Sequence, residues 1–171
     1  MELLTNGVGL SVVVFFPLIS AFIITLIPKA QEQLIKGFAL VSSLITFVLS
    51  AVLLFQFDFS SADKLQLGNK ISWIKSINAN YEIGIDGISL PLLVLSTFIT
   101  VLAIIYSIEH LPEPKSPKGF LALILVLETG MNGTFVALDL ILFFVFFEIV
   151  LLHMYFMIGI WGCLLYTSPS P

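Results

Sequence analysis

Charge is what this sequence has least of. Asp, Glu, Lys and Arg make up 11% of its 171 residues, against roughly 25% in a soluble domain. That leaves too little polar surface to cover a globule in water. Arginine is missing altogether: every cationic residue is a lysine, so nothing here grips a phosphate or carboxylate in a bidentate fork. No basic run occurs and the formal net charge is −4, which argues against nucleic-acid binding. The one cysteine, Cys163, excludes an internal disulfide and any multi-cysteine metal or iron–sulfur site. Gly-rich nucleotide loops, metal-ligand clusters and nucleophile–base pairs are also lacking. No cofactor-binding or metal site is therefore expected on the chain itself. The residues before the first apolar run include Glu2 and no lysine, and no small-x-small cleavage site follows, so they do not read as a secretory signal.

What is present is hydrophobic, 58% of the residues, and it comes in blocks. A bilayer core needs about 20 apolar residues per helix. Five runs meet that length: 8–27, 37–57, 88–108, 119–138 and 140–161. The first three are free of charge; the fourth contains Glu128 and the fifth Glu148. In lipid every backbone group must be satisfied within its own segment, so these runs are helices rather than strands. The expected fold is an all-α polytopic membrane protein with about five transmembrane helices. Pro91 falls near the start of its run, where a missing N–H is harmless. Pro17 falls in mid-run and is expected to kink its helix, a fault neighbouring helices can cover.

The connections carry further information. Residues 29–36 are short and basic, and residues 109–118 are proline-rich with Lys115 and Lys118. Residues 58–87 are long and polar. Within them Ile71, Trp73, Ile74 and then Tyr81, Ile83, Ile85 alternate, which suggests a short extramembrane hairpin. The fourth and fifth runs are joined by almost nothing around 137–139, so those helices must be antiparallel neighbours. Lys29, Lys36, Lys115 and Lys118 sit in short loops on one side; Lys64, Lys70 and Lys75 are diluted over the long loop on the other. This bias favours an outside N-terminus with the short basic loops in the cytoplasm.

Glu148 is the most informative residue, mid-way along its run. An ionised carboxyl there costs about 2.5–3.5 kcal/mol on insertion scales. Two readings are open: a proton-relay carboxyl, or a structural carboxyl hydrogen-bonded between helices. Its helical face holds Phe144, Leu151, Leu152 and Tyr155, of which only Tyr155 could lengthen a polar path. Glu128 is followed by Thr129, Asn132 and Thr134 with Gly130 and Gly133. Asn132, one turn on, is placed to donate to it, and the glycines allow a close neighbour. A polar patch that joins helices and a proton-path role both fit. Asp139 reads as the N-cap of the fifth helix, with a relay role as the alternative. His153, five residues after Glu148, points to another face and reads as a packing histidine or a supporting group. Asp86, with Ser89 in the following turn, reads as a structural helix cap.

Two stretches carry a family resemblance. One is Tyr81-Glu82-Ile83-Gly84-Ile85-Asp86-Gly87-Ile88-Ser89-Leu90-Pro91-Leu92. The other runs from Gly133 through Leu138-Asp139-Leu140 and Phe146-Phe147-Glu148 to Met154-Tyr155-Phe156-Met157-Ile158-Gly159-Ile160-Trp161-Gly162. They resemble the antiporter-like chain M of bacterial NADH:quinone oxidoreductase, respiratory complex I. The resemblance implies that Glu148 matches the family's proton-pathway glutamate, which pairs with a lysine on a later helix. It places Glu128 where the family often carries a second carboxylate. His153 departs from the pattern, which commonly has proline there. The resemblance also implies other complex I membrane subunits and the lipid bilayer as partners, and a multi-pass place in a bacterial inner membrane. NADH, FMN, iron–sulfur clusters and quinone would belong to partner subunits. Family members run on to roughly fourteen helices built as inverted repeats. Residues 1–162 are thus expected to be the N-terminal transmembrane part of such a subunit, incomplete for transport alone, and 163–171, which match nothing in the family, to be a non-native tail. Other readings stay open: a subunit of a multisubunit Na+/H+ antiporter or membrane-bound hydrogenase, or a non-catalytic membrane scaffold.

Overall fold

A computed structural model describes residues 7–110 and 116–162; Lys115, Cys163 and the 163–171 tail lie outside them. Five helices form: α1 (Val8–Leu26), α2 (Glu32–Gln56), α3 (Ser89–His110), α4 (Pro117–Val136) and α5 (Leu140–Trp161). All five are long and apolar enough to span a membrane. Between α2 and α3 lies the expected hairpin, β1 (Gln66–Ile74) paired antiparallel with β2 (Ala79–Ile85).

The helices outrun the apolar blocks at several ends. α2 begins at Glu32 rather than at residue 37, and α3 continues to His110 rather than 108. An uncharged run measures the hydrocarbon layer, whereas Glu, Gln and Lys are good helix formers that carry the helix on into the polar region. α4 starts two residues early, with Pro117 in its first turn, where proline is favoured. It also stops early, at Val136. Ala137 there turns extended and bridges to Ile83, and Leu138 N–H donates to the Glu82 carbonyl at 2.8 Å. The link between α4 and α5 thus covers the free edge of β2.

α4 is the centre of the bundle. It packs against α1, α2, α3 and α5, and it is the least apolar and most buried of the five. Its glycines make this possible. A Cβ on Gly133 would fall inside the Phe146 ring, and one on Gly130 would meet Val150 Cγ2 at 2.9 Å. α5 rests on α4 and the hairpin and buries least of the five, with Leu142 and Phe146 its only fully buried side chains.

Alternating helix directions sort the loops to two ends. At one end the hairpin closes over the start of α1, where the Ser11 and Tyr81 hydroxyls are 2.9 Å apart. Lys64, Lys70 and Lys75 belong to this end. Lys29, Lys36 and Lys118 belong to the other, where Lys118 Nζ donates to the last carbonyls of α1, Thr25 at 2.8 Å and Ile27 at 2.6 Å. The hairpin turns through Asn78, whose φ of 53° is a conformation asparagine tolerates better than most residues. Two apolar clusters make the core. One, at the hairpin end, includes Leu10, Leu53, Ile83, Leu90, Val136 and Phe146; the other, at the basic end, includes Ile24, Ile35, Ile104, Leu121 and Leu125. Between them lies a buried polar belt: Ser20, Ser42, Ser43, Thr46, Ser50, Ser96, Thr97, Thr100, Glu128, Thr129 and Asn132.

Candidate functional site

Glu128 sits in that belt, completely buried, with no hydrogen-bond partner for either carboxyl oxygen among the described residues. The helix geometry explains where it points. Gly130 and Gly133 face α5, and at about 100° per residue Glu128 is turned well away from that seam, into the interior. Thr129 and Thr134 do not help it: each hydroxyl donates to a carbonyl of its own helix, Leu125 at 3.2 Å and Gly130 at 2.8 Å.

The expectation that Asn132 donates to Glu128 is wrong. The Asn132 amide donates instead to the Val13 carbonyl of α1 at 3.5 Å, and its oxygen accepts from Ser96 Oγ of α3, also at 3.5 Å. Pro17 is the cause. A helical carbonyl normally accepts from the N–H four residues on, and for Val13 that residue is Pro17, which has none. Asn132 fills the gap from a neighbouring helix. One proline on α1 therefore commits the amide one turn from Glu128 to another task.

Glu148 stands in the opposite situation. Leu142 and Phe146 are buried, while Ile149, Val150, His153, Met157 and Trp161 are half-buried toward the rest of the protein. Glu148 lies on the other face, exposed with Phe144, Leu151, Leu152 and Tyr155, beside a shallow hollow of about 270 Å³ walled by Phe144, Val145, Ile149 and Leu152. The two carboxyls are therefore on opposite sides of the α4–α5 seam and do not meet. His153 Nδ1 lies 2.7 Å from the Ile149 carbonyl of its own helix. Its ring is thus held away from the Glu148 face.

The flanking aspartates are caps. Asp139 Oδ1 accepts from the N–H groups of Ile141 at 2.8 Å and Leu142 at 3.2 Å, in the first turn of α5; its Oδ2 accepts from Asn80 N–H of β2 at 3.0 Å. The Asn80 N–H first, then those of α5, hold its carboxyl below the usual range. Asp86 Oδ1 accepts from Ser89 N–H at 2.7 Å and Ile88 N–H at 3.0 Å, and Ser89 Oγ accepts in return from Asp86 N–H at 2.9 Å. These bonds, led by the one from Ser89 N–H, likewise lower the Asp86 carboxyl.

The belt around Glu128 holds residues that the sequence reading passed over. Ser50 Oγ and Thr97 Oγ1 are 2.7 Å apart, linking α2 to α3, and the Ser42 hydroxyl is buried without a partner among the described residues. The signal was available: Ser42, Thr46 and Ser50 recur every fourth residue, one face of a helix.

This arrangement, a membrane bundle with one interior and one outward carboxyl, can be set beside known proteins. Residues 12–134 match the family model described as NADH-ubiquinone oxidoreductase chain 4, amino terminus. The chain belongs to this family. Among chain 4 relatives, the NADH-ubiquinone oxidoreductase chain 4 of Marchantia polymorpha is 37% identical over 154 residues, covering 90% of this chain and 30% of the relative. The NAD(P)H-quinone oxidoreductase chain 4 of Prochlorococcus marinus (strain NATL2A) is 36% identical over 154 residues, 90% of this chain and 28% of the relative. The F(420)H(2) dehydrogenase subunit M of Methanosarcina mazei is 36% identical over 152 residues, 89% of this chain and 30% of the relative. The chain thus spans a little under a third of the length of the curated relatives it matches. Glu128 falls inside the stretch matched by the chain 4 family model and Glu148 fourteen residues beyond its end.

Proposed function

We propose that this chain is the amino-terminal membrane part of a proton-translocating subunit of NADH:quinone oxidoreductase, with Glu148 and Glu128 as proton-pathway groups. Membership of the chain 4 family carries the reading, and the two carboxyls in membrane-spanning helices support it. Membrane carboxyls are costly enough that they generally serve a purpose. Glu148 holds or releases a proton as the charge of a lysine on a later helix moves; the uncovered face of α5 leaves room for such a helix. Glu128 occupies a polar belt between two apolar clusters, as an interior proton site would. Asp139, Asn132, Tyr155 and His153 have supporting roles at most: Asp139 and Asn132 spend their groups on caps and a freed carbonyl, and Tyr155 shares the outward face of Glu148.

No redox step falls to this chain. NADH, FMN, iron–sulfur clusters and quinone belong to other subunits, with which it assembles in a bacterial inner membrane, its hairpin end outside. The relatives' names vary in the electron donor, NADH, NAD(P)H or F(420)H(2), at nearly equal identity. What these relatives share with this chain is therefore best read as the ion-moving part, not the donor site. The test is a chimera in which residues 1–162 replace the same part of a full-length bacterial chain M. The expected result is an assembled complex that takes up protons into membrane vesicles on addition of NADH. Assembly without proton uptake would favour a scaffold role.

A further inference from the structure

α1 and α4 pack closely on the inner side of their seam and leave its outer side open. Between them runs a groove of about 670 Å³ walled by Leu18, Ile19, Phe22, Ala122, Leu123 and Val126. At the basic end it continues past Thr25, Gly119 and Ala122 into a second hollow of about 390 Å³, which also meets Lys29, Ser116, Lys118 and Trp161. The two hollows share those three residues and so form one track. It is apolar along its length and has two ammonium groups at its mouth. Gly119 keeps it open: a Cβ there would come within 3.2 Å of the Trp161 ring.

The chemistry of the track selects its occupant. Its walls suit a flexible hydrocarbon. Lys29 is exposed and Lys118 half-buried, and among the described residues no carboxylate lines the mouth. Lys118 is pinned there by its bonds to the Thr25 and Ile27 carbonyls, which use two of the three N–H donors of an ammonium. The indole Nε1 of Trp161 is buried at the same place with no partner among the described residues, and tryptophan is a residue of the membrane interface.

We propose that this track binds one anionic phospholipid, an acyl chain lying between α1 and α4 and the phosphate between Lys29 and Lys118. The lysine bias puts the mouth in the cytoplasmic leaflet, whose surface is anionic.

The test uses the full-length subunit in its assembled complex, reconstituted in phosphatidylcholine vesicles with a tracer of phosphatidylglycerol or phosphatidylcholine bearing a photoreactive acyl chain. Adducts are mapped by mass spectrometry. Phosphatidylglycerol should label residues 18–25 and 119–126 roughly thirty-fold more than phosphatidylcholine does, about five-fold for each of the two lysines, the ratio that corresponds to ~1 kcal/mol per lysine at a membrane surface. Lys29→Gln should remove most of that preference and Lys29→Arg should keep it. Equal labelling by the two headgroups, or a preference untouched by Lys29→Gln, overturns the proposal in favour of unselective annular lipid. Absence of adducts here, with cross-links from 119–126 to a later segment of the same polypeptide, overturns it in favour of a covering helix. The readout is labelling, so its failure leaves the proton-pathway reading intact.

Discussion

A methyl group at Gly133 has nowhere to go. Built on the α4 backbone, it lands within the ring of Phe146, closest to Cγ and Cδ1, with Cε1 at 2.5 Å. Ordinary carbon–carbon contact needs about 3.5–4.0 Å, so either the ring or the helix must move by about 1 Å. The ring is not free to swing. Phe146 is 3% exposed, packed in the hairpin-end cluster with its centroid 6.1 Å from that of Phe15. α5 must therefore lift off α4. Overpacking of this kind costs about 1–3 kcal/mol. A gap of 0.5–1 Å forfeits a quarter to a half of the dispersion energy of the atoms it separates, and in a membrane that energy is the main source of helix association. Gly133→Ala should thus destabilise by about 1–3 kcal/mol. In a Phe146→Ala background the same change should cost almost nothing, because the methyl enters the space the ring has left. The assay is a double-mutant cycle on the full-length subunit, unfolded by SDS titration in mixed micelles. The predicted coupling between the two sites is about 1–3 kcal/mol. Additive costs would refute the reasoning, since they would mean that the seam yields freely at this point.

Three further predictions test other joints. Asn132→Leu should destabilise by roughly 1–3 kcal/mol by stranding the Val13 carbonyl, and Pro17→Ala should suppress the defect, since an N–H at residue 17 restores that carbonyl's bond within α1; an unsuppressed defect in thermal unfolding would place its cause elsewhere. Asp86 and Asp139 have lowered folded-state pKa values, so their contribution is complete above the unfolded value near 3.9 and is lost as pH falls through the lower folded value. Hydrogen exchange should then show the Asn80, Ile88 and Ile141 amides losing protection only at strongly acid pH, and Asp139→Ala should expose Asn80 and Ile141 at neutral pH; unchanged protection in that variant would remove the cap from the account. Cysteines placed at 58–87 should be labelled from outside and one at Lys118 only from the cytoplasm; the reverse pattern overturns the orientation, which rests on a small lysine bias.

The helix count, the hairpin and the two aspartate caps could be read in the sequence because each has a local signature: an uncharged run, an alternation, an acid before a helix. Helix ends were less legible. Lys36 marks the edge of the hydrocarbon layer, but α2 starts ahead of it, at Glu32. The early end of α4 depends on β2, which lies some fifty residues earlier in the chain. The partners of polar side chains on facing helices could not be read. Asn132 stands one turn from Glu128 in the sequence, yet it serves Val13, because Pro17 on another helix has orphaned a carbonyl there. The burial of Glu128 and the exposure of Glu148 are tertiary facts as well: hydropathy places both in membrane runs but does not say which face of a run meets the rest of the bundle.

Glu148 carries the central claim and admits the most direct test. Glu148→Gln in the full-length subunit keeps volume and hydrogen-bonding capacity, so packing and assembly should survive, but the side chain can no longer ionise. NADH-driven proton uptake should be measured in membrane vesicles and normalised to the amount of assembled complex. Loss of most uptake at normal assembly, with a smaller loss for Glu128→Gln, is the result predicted. Full uptake by the Glu148→Gln complex at normal assembly would contradict the account and leave Glu148 a structural carboxyl.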